Sequence, residues 1–207
     1  MNVAKSENPT LFLLEDSLDL TSKLSRIATR LGWTVIAARS LAQAEKLCAE
    51  TTLYVDAMML DLMVPETDEC LTEVDRLLDE RAQLGETLTK RGQRHDEIEA
   101  LHRKEAELRI NQIDQQIMEN IIDDAGIRFL RTPHGMKIFC NRSIAVAIFT
   151  ARREESFSDN TNETLRSAVS RALGREPEIW FEKPVPPREL EDWLETKRRE
   201  WTEYNLC

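Results

Sequence analysis

The tightest constraint on this chain comes from short runs that are apolar from end to end. Ala57 to Leu60 is one of them. It closes on a single carboxylate, Asp61, and the chain leaves through Leu62, Met63, Val64 and Pro65. A run without polar alternation must bury both of its faces. At this length it suits a central strand of a parallel sheet. An Asp at the C-terminal end of such a strand stands where open α/β sheets bind ligands. The same Asp could also do no more than cap the following loop.

The segments around it repeat the theme. Thr10 to Leu14 is a second apolar strand, followed at once by Glu15, Asp16 and Ser17. These carboxylates repeat the placement of Asp61, although Asp16 or Ser17 also suits a helix N-cap. Leu20, Leu24, Ile27, Ala28 and Leu31 then follow helical spacing, and Gly32 stops that helix. Trp33 to Ala38 is a strand. Ser40 caps a helix with Leu41, Ala44, Leu47 and Cys48 on its inner face. Strand, helix, strand, helix, strand predicts right-handed crossovers and a parallel sheet.

From about Thr67 to Asp124 the pattern breaks: there is no strand signal and no Pro. Apolar residues recur at three and four, first at Leu71, Val74, Leu78, Ala82 and Leu88. They resume at Ile98, Leu101, Leu108, Ile113, Ile117 and Ile121. This predicts long, mostly solvated helices with one narrow apolar stripe. Lys90 to Gln93, around Gly92, suits a reversal. Helices of roughly 22 and 30 residues would form an arm on the order of 35–45 Å long. A stripe so narrow leaves apolar surface for another molecule.

The α/β alternation then returns. Gly126 to Leu130 is a short helix closed by Pro133 and Gly135. Ser143 to Phe149 is the strongest strand and ends in Thr150. A helix lies within Glu163 to Leu173, stopped by Gly174. Glu178 to Phe181 is a last strand, leading into Glu182, Lys183 and Pro184. Pro187 to about Tyr204 is the final helix. The pattern predicts a parallel α/β sheet whose chain is interrupted by an antiparallel α-helical hairpin. Strand C-termini of a parallel sheet share one edge, so Glu15, Asp16, Asp61, Thr150 and Lys183 are expected to converge. The second strand alone contributes no candidate.

Composition removes several functions. The net charge of −10 disfavours direct nucleic-acid binding, which needs a basic face. No apolar run approaches the roughly 20 residues of a membrane span, and the N-terminus lacks the apolar core of a signal peptide. Cys48, Cys70, Cys140 and Cys207 show no paired metal spacing and read as reduced thiols of a cytoplasmic protein.

The motifs together resemble the receiver domain of two-component response regulators over about 10–65 and 124–200. That family has an acidic pair after its first strand, here Glu15-Asp16. Its phosphoacceptor Asp is followed by a short apolar stretch and Pro, here Asp61 to Pro65. A Thr or Ser follows its fourth strand, here Thr150-Ala151, and a Lys-Pro pair its fifth, here Lys183-Pro184. The resemblance implies a five-stranded, parallel, doubly wound (flavodoxin-like) α/β receiver fold, formed by residues 10–66 and 124–204, with the antiparallel α-helical hairpin 67–123 inserted in a loop beside the acceptor. Trp180 replaces the Tyr or Phe usual three positions before the Lys.

The resemblance implies a chemistry. Glu15, Asp16, Asp61 and the backbone carbonyl of Met63 would hold Mg²⁺. Asp61 would take a phosphoryl group from a sensor histidine kinase or phosphotransfer protein. Lys183 and Thr150 would engage that group, and Trp180 would report it as the switch. No effector domain follows in this sequence, so the expected output is a protein–protein contact. The arm, 67–123, would serve homodimerisation or docking of a protein partner. The chain is expected not to be an enzyme beyond slow self-dephosphorylation. Phosphatases that use an Asp nucleophile resemble a pattern with a second Asp two positions on, where Met63 stands here. The alternative is a receiver-fold scaffold that assembles through the arm and is never phosphorylated. His95, followed by Asp96, weakly resembles a phosphotransfer histidine. His102 and His134 read as surface residues.

Overall fold

The structure is a computed structural model that describes residues 8–50, 54–90, 97–139, 144–153 and 163–206. In chain order the first half contains β1 (Thr10–Leu14), α1 (Leu18–Arg30), β2 (Thr34–Ala38), α2 (Leu41–Glu50), β3 (Ala57–Leu60), β4 (Val64–Pro65) and α3 (Asp68–Lys90). There follow α4 (Glu97–Glu119), β5 (Ile121–Ile122), α5 (Ala125–Arg131), α6 (Pro133–Phe139), β6 (Ala145–Thr150), α7 (Leu165–Leu173), β7 (Ile179–Glu182) and α8 (Pro187–Leu206). Much of the expected reversal (Arg91–Gln93), His95, Cys140, Ser143 and Cys207 lie outside the described residues.

The main sheet is five-stranded in the order β2-β1-β3-β6-β7, and every pairing is parallel. Counting only these strands, the order is 2-1-3-4-5, that of a flavodoxin-like doubly wound sheet. Alternate residues of the central strands feed two cores. Phe12, Leu14, Met58, Leu60, Val146 and Ile148 pack on one face with α2, α5 and α7. Leu11, Leu13, Ala57, Met59, Ala147 and Phe149 pack on the other with α1 and α8. Both faces are covered, so these runs are apolar throughout rather than alternating. Phe12 and Phe129 stack with centroids 5.3 Å apart, which ties α5 to β1.

Local signals explain several boundaries. Ser17 accepts from the Leu20 amide and starts α1. Thr164 does the same for α7, which ends at Gly174 in the left-handed conformation that glycine tolerates best. The helix expected at Gly126 to Leu130 ends at Arg131, ahead of Pro133, but Pro133 and Gly135 themselves belong to another helix. Thr132 accepts from the Gly135 amide at 3.0 Å and opens a further helix, α6, with Pro133 in its first position.

In the arm each helix spans 23 described residues, and a short antiparallel ladder that the sequence did not signal, β4 with β5, clamps their base. Leu71, Val74, Leu77 and Ile113 are buried, whereas Leu78, Leu101 and Leu108 face solvent. The inward position is Leu77 rather than Leu78. Adjacent leucines allow either register, and packing chose between them. Two ion pairs cross between the helices, Glu80–Arg109 and Arg81–Asp114, both at 2.7 Å. Among the described residues, no helix is long and apolar enough to cross a membrane.

Candidate functional site

Sheet register decides which side chains meet. Leu14 pairs with Leu60, Leu60 with Ile148, and Ile148 with Trp180, so these residues stand at one level. Glu15 and Asp61 follow immediately, on β1 and β3. The sheet order reverses between those two strands, and such switch points are where doubly wound sheets open a crevice. Thr150 and Lys183 lie slightly further along β6 and past β7. The Lys183–Pro184 peptide is cis.

Glu15 is fully buried and Asp61 is 3% exposed. Burying two carboxylates is costly unless both are paired. Here one ammonium serves both: Lys183 Nζ lies 2.6 Å from Glu15 Oε2 and 2.5 Å from Asp61 Oδ2. The remaining oxygens accept from backbone amides. Ser17 N–H donates to Glu15 Oε1 at 3.2 Å, and Met63 N–H donates to Asp61 Oδ1 at 3.0 Å. Lys183 also sits 4.9 Å from the centre of the Phe149 ring. Burial pulls its pKa down, but Asp61 and Glu15 outweigh this and the net direction is up.

The cluster carries more negative charge than Lys183 offsets. Burial, helped by Asp61, pushes the Glu15 carboxyl up to about 7 against the pull of Lys183. Burial and Asp61 raise Asp16 as well. One ligand atom from each of Glu15, Asp16 and Asp61 lies within 4.8 Å of the others. A hard divalent cation suits that oxygen-only donor set and would relieve the mutual repulsion.

Thr150 is buried; its Oγ1 accepts from the Arg152 amide at 3.4 Å, and its carbonyl accepts from the Lys183 amide at 2.8 Å. Trp180 is half-buried against the core on the α5 and α7 side. Its indole N–H donates to the Arg152 carbonyl at 3.1 Å, so it leans on the turn that follows Thr150. Sequence reasoning thus brought together Glu15, Asp16, Asp61, Met63, Lys183, Thr150 and Trp180, and the fold gathers all of them at one edge. His102 is exposed and pairs with Glu105 within its own helix. His134 sits in the first turn of α6.

The sheet order and the crevice at its switch point are those of a flavodoxin-like, receiver-type fold. No family model matches the chain, and no curated protein matches it. Solved structures with a similar shape include a CheY-like receiver domain from Methanospirillum hungatei, 12% identical over 94% of this chain and 99% of that one, TM-score 0.46. A Francisella response regulator receiver domain is 13% identical over 93% and 98%, TM-score 0.47. A sensor protein from Polaromonas is 17% identical over 93% and 97%, TM-score 0.45.

Gly126, Arg152 and Arg39 also stand at this site; only Gly126 had a sequence signal, in a stretch resembling the Gly-containing loop that receivers place before their third helix. Gly126, in α5, packs so closely on the end of β3 that an added Cβ would lie 2.5 Å from the Asp61 carbonyl oxygen. Arg152 meets Thr150 and Trp180 through its backbone and faces Asp123, beside the arm, at 3.7 Å. Arg39 follows β2 and donates through Nε to the Asp16 carbonyl at 2.7 Å. The second strand, expected to be silent, therefore also ends at the site.

Proposed function

We propose that this chain is a phosphorylation-controlled receiver that accepts a phosphoryl group on Asp61 and signals through protein–protein contacts. The observation that supports this is the shared pairing of two buried carboxylates on separate strands, Glu15 and Asp61, with the single ammonium of Lys183. An ion pair built only for stability would rarely crowd a third carboxylate beside it.

Glu15, Asp16 and Asp61 would hold Mg²⁺, with the Met63 carbonyl as a further ligand. Held by these residues, the ion would supply positive charge that offsets the charge of the phosphoryl oxygens. An Asp61 carboxylate oxygen attacks the phosphorus of a phosphohistidine on a sensor kinase or phosphotransfer protein. A new P–O bond forms as the donor P–N bond breaks, and the departing imidazole keeps the electron pair and takes a proton. Lys183, already beside Asp61 Oδ2, shifts towards the incoming phosphoryl group and offsets its charge. The Thr150 hydroxyl donates to a phosphoryl oxygen. That draws in the turn on which Trp180 rests and alters the face made by α7, β7 and α8.

The chain acts as a phosphoacceptor and not as a turnover enzyme, since Met63 offers no acid or base where a second carboxylate would be needed. The arm docks a partner protein or a second copy. Intact mass after incubation with Mg²⁺ and acetyl phosphate tests the reading. A single phosphate adduct on wild type, absent from Asp61→Asn, is expected. A change in size-exclusion profile on phosphorylation would assign the output to association. No adduct at saturating Mg²⁺ would overturn the proposal and leave a scaffold that works through the arm.

A further inference from the structure

The arm is attached to the body by more than its two chain connections. Arg39 makes a bidentate pair with Asp75 on α3, at 2.6 and 3.1 Å. The same guanidinium donates through Nε to the Asp16 carbonyl at 2.7 Å. Its neighbour Ser40 caps α2 and donates to Asp68, the first residue of α3, at 2.8 Å. The Ala42 amide donates to the Glu66 carbonyl at 3.0 Å. The loop after β2 is thus fastened to the arm's base, and one rigid fork joins that base to the backbone of an acidic-site residue. The Arg39 side chain is only 18% exposed, so its bonds are less screened than those of a surface pair.

From this we propose that Arg39 is a positioning residue of the acidic site and its link to the arm. It holds Asp16 in place for the cation while Asp75 holds Arg39. The proposal rests on the reading of the acidic cluster as a Mg²⁺ site and adds regulation to it. Site and arm are then coupled, and coupling is reciprocal: what tightens the Asp16 loop steadies the arm, and a partner that moves the arm changes Mg²⁺ affinity. The planar fork is needed for this. A Lys ammonium cannot hold the Asp75 carboxylate bidentately while bonding the Asp16 carbonyl.

The test uses the full chain, with Mg²⁺ titrated by calorimetry. Distances are read between spin labels carried by noncanonical residues at exposed positions Lys23 on α1 and Lys104 on α4. Arg39→Ala is expected to weaken Mg²⁺ binding by about tenfold, the scale for losing outer support of a metal ligand. Asp75→Asn, outside the acidic set, should weaken it in the same direction and by less. The double variant should be no worse than Arg39→Ala alone. Arg39→Lys should fail to restore affinity. The metal-free distance distribution should broaden in each variant, and in wild type Mg²⁺ should narrow it. Wild-type Mg²⁺ affinity in Asp75→Asn, or additive losses in the double variant, would overturn the coupling. Absence of Mg²⁺ binding by wild type would instead defeat the reading of the acidic cluster. Metal-free distances unchanged in Arg39→Ala would then defeat the arm link as well.

Discussion

The proton on Glu15 offers a quantitative handle on the site. Its carboxyl is fully buried and raised from an ordinary 4.5 to about 7, first by burial and then by Asp61, against the pull of Lys183. The folded chain therefore binds this proton more tightly than the unfolded chain does. That contribution to stability is fully present below pH 4.5 and is lost as pH rises through about 7. At about 1.4 kcal/mol per pH unit, the loss is on the order of 3 kcal/mol. Glu15→Gln removes the titration and keeps the shape. Urea unfolding followed by circular dichroism in EDTA, repeated across the pH range, measures the difference. Glu15→Gln should gain on wild type by roughly 3 kcal/mol between about pH 4.5 and pH 8. Saturating Mg²⁺ should reverse the ranking at the alkaline end, because only the carboxylate binds the ion strongly. A gap between the two proteins that stays constant with pH in EDTA would refute the reasoning.

Two further comparisons separate close approach from open space. An added Cβ at Gly126 would meet the Asp61 carbonyl oxygen at 2.5 Å, while Gly85 on α3 has nothing within 4 Å. Gly126→Ala should cost about 1–3 kcal/mol, as overpacking against backbone does, and should slow acetyl phosphate labelling. Gly85→Ala should instead stabilise the chain by about 0.5–1 kcal/mol in the same urea titration. In the arm, Leu77 is fully buried and Leu78 is 43% exposed. Leu77→Ala should cost about 2–5 kcal/mol. Leu78→Ala should stay within about 0.5 kcal/mol. Equal effects in thermal melts would contradict the arm's register.

The body of the fold was legible because its signals are local and redundant. Central strands must bury both faces, so Thr10–Leu14, Ala57–Leu60 and most of the Ala145–Thr150 strand announce themselves as apolar runs. Ser17, Thr164 and Gly174 mark helix ends through bonds or backbone angles that reach only a few residues. The site residues were legible for a related reason. Glu15, Asp16, Asp61 and Lys183 follow strands and Thr150 ends one, and a parallel sheet carries every strand end to one edge.

What stayed hidden depends on contacts between distant segments. The β4–β5 ladder has only two residues on each strand, too few to show a period. Arg39 reads as any surface arginine until β2 lies beside β1 and brings it to Asp16 and Asp75. Leu77 and Leu78 are chemically the same, and only the neighbouring helix and body distinguish them. Sequence alone thus determined the layered sheet and the set of acids and lysine at its edge, because hydrophobic pattern and strand polarity are properties of short segments. Tertiary structure alone decided that one lysine is shared between Glu15 and Asp61, and that an arginine fastens the arm to the acidic loop. Those are distances between groups far apart in the chain, and they exist only after the sheet has closed around them.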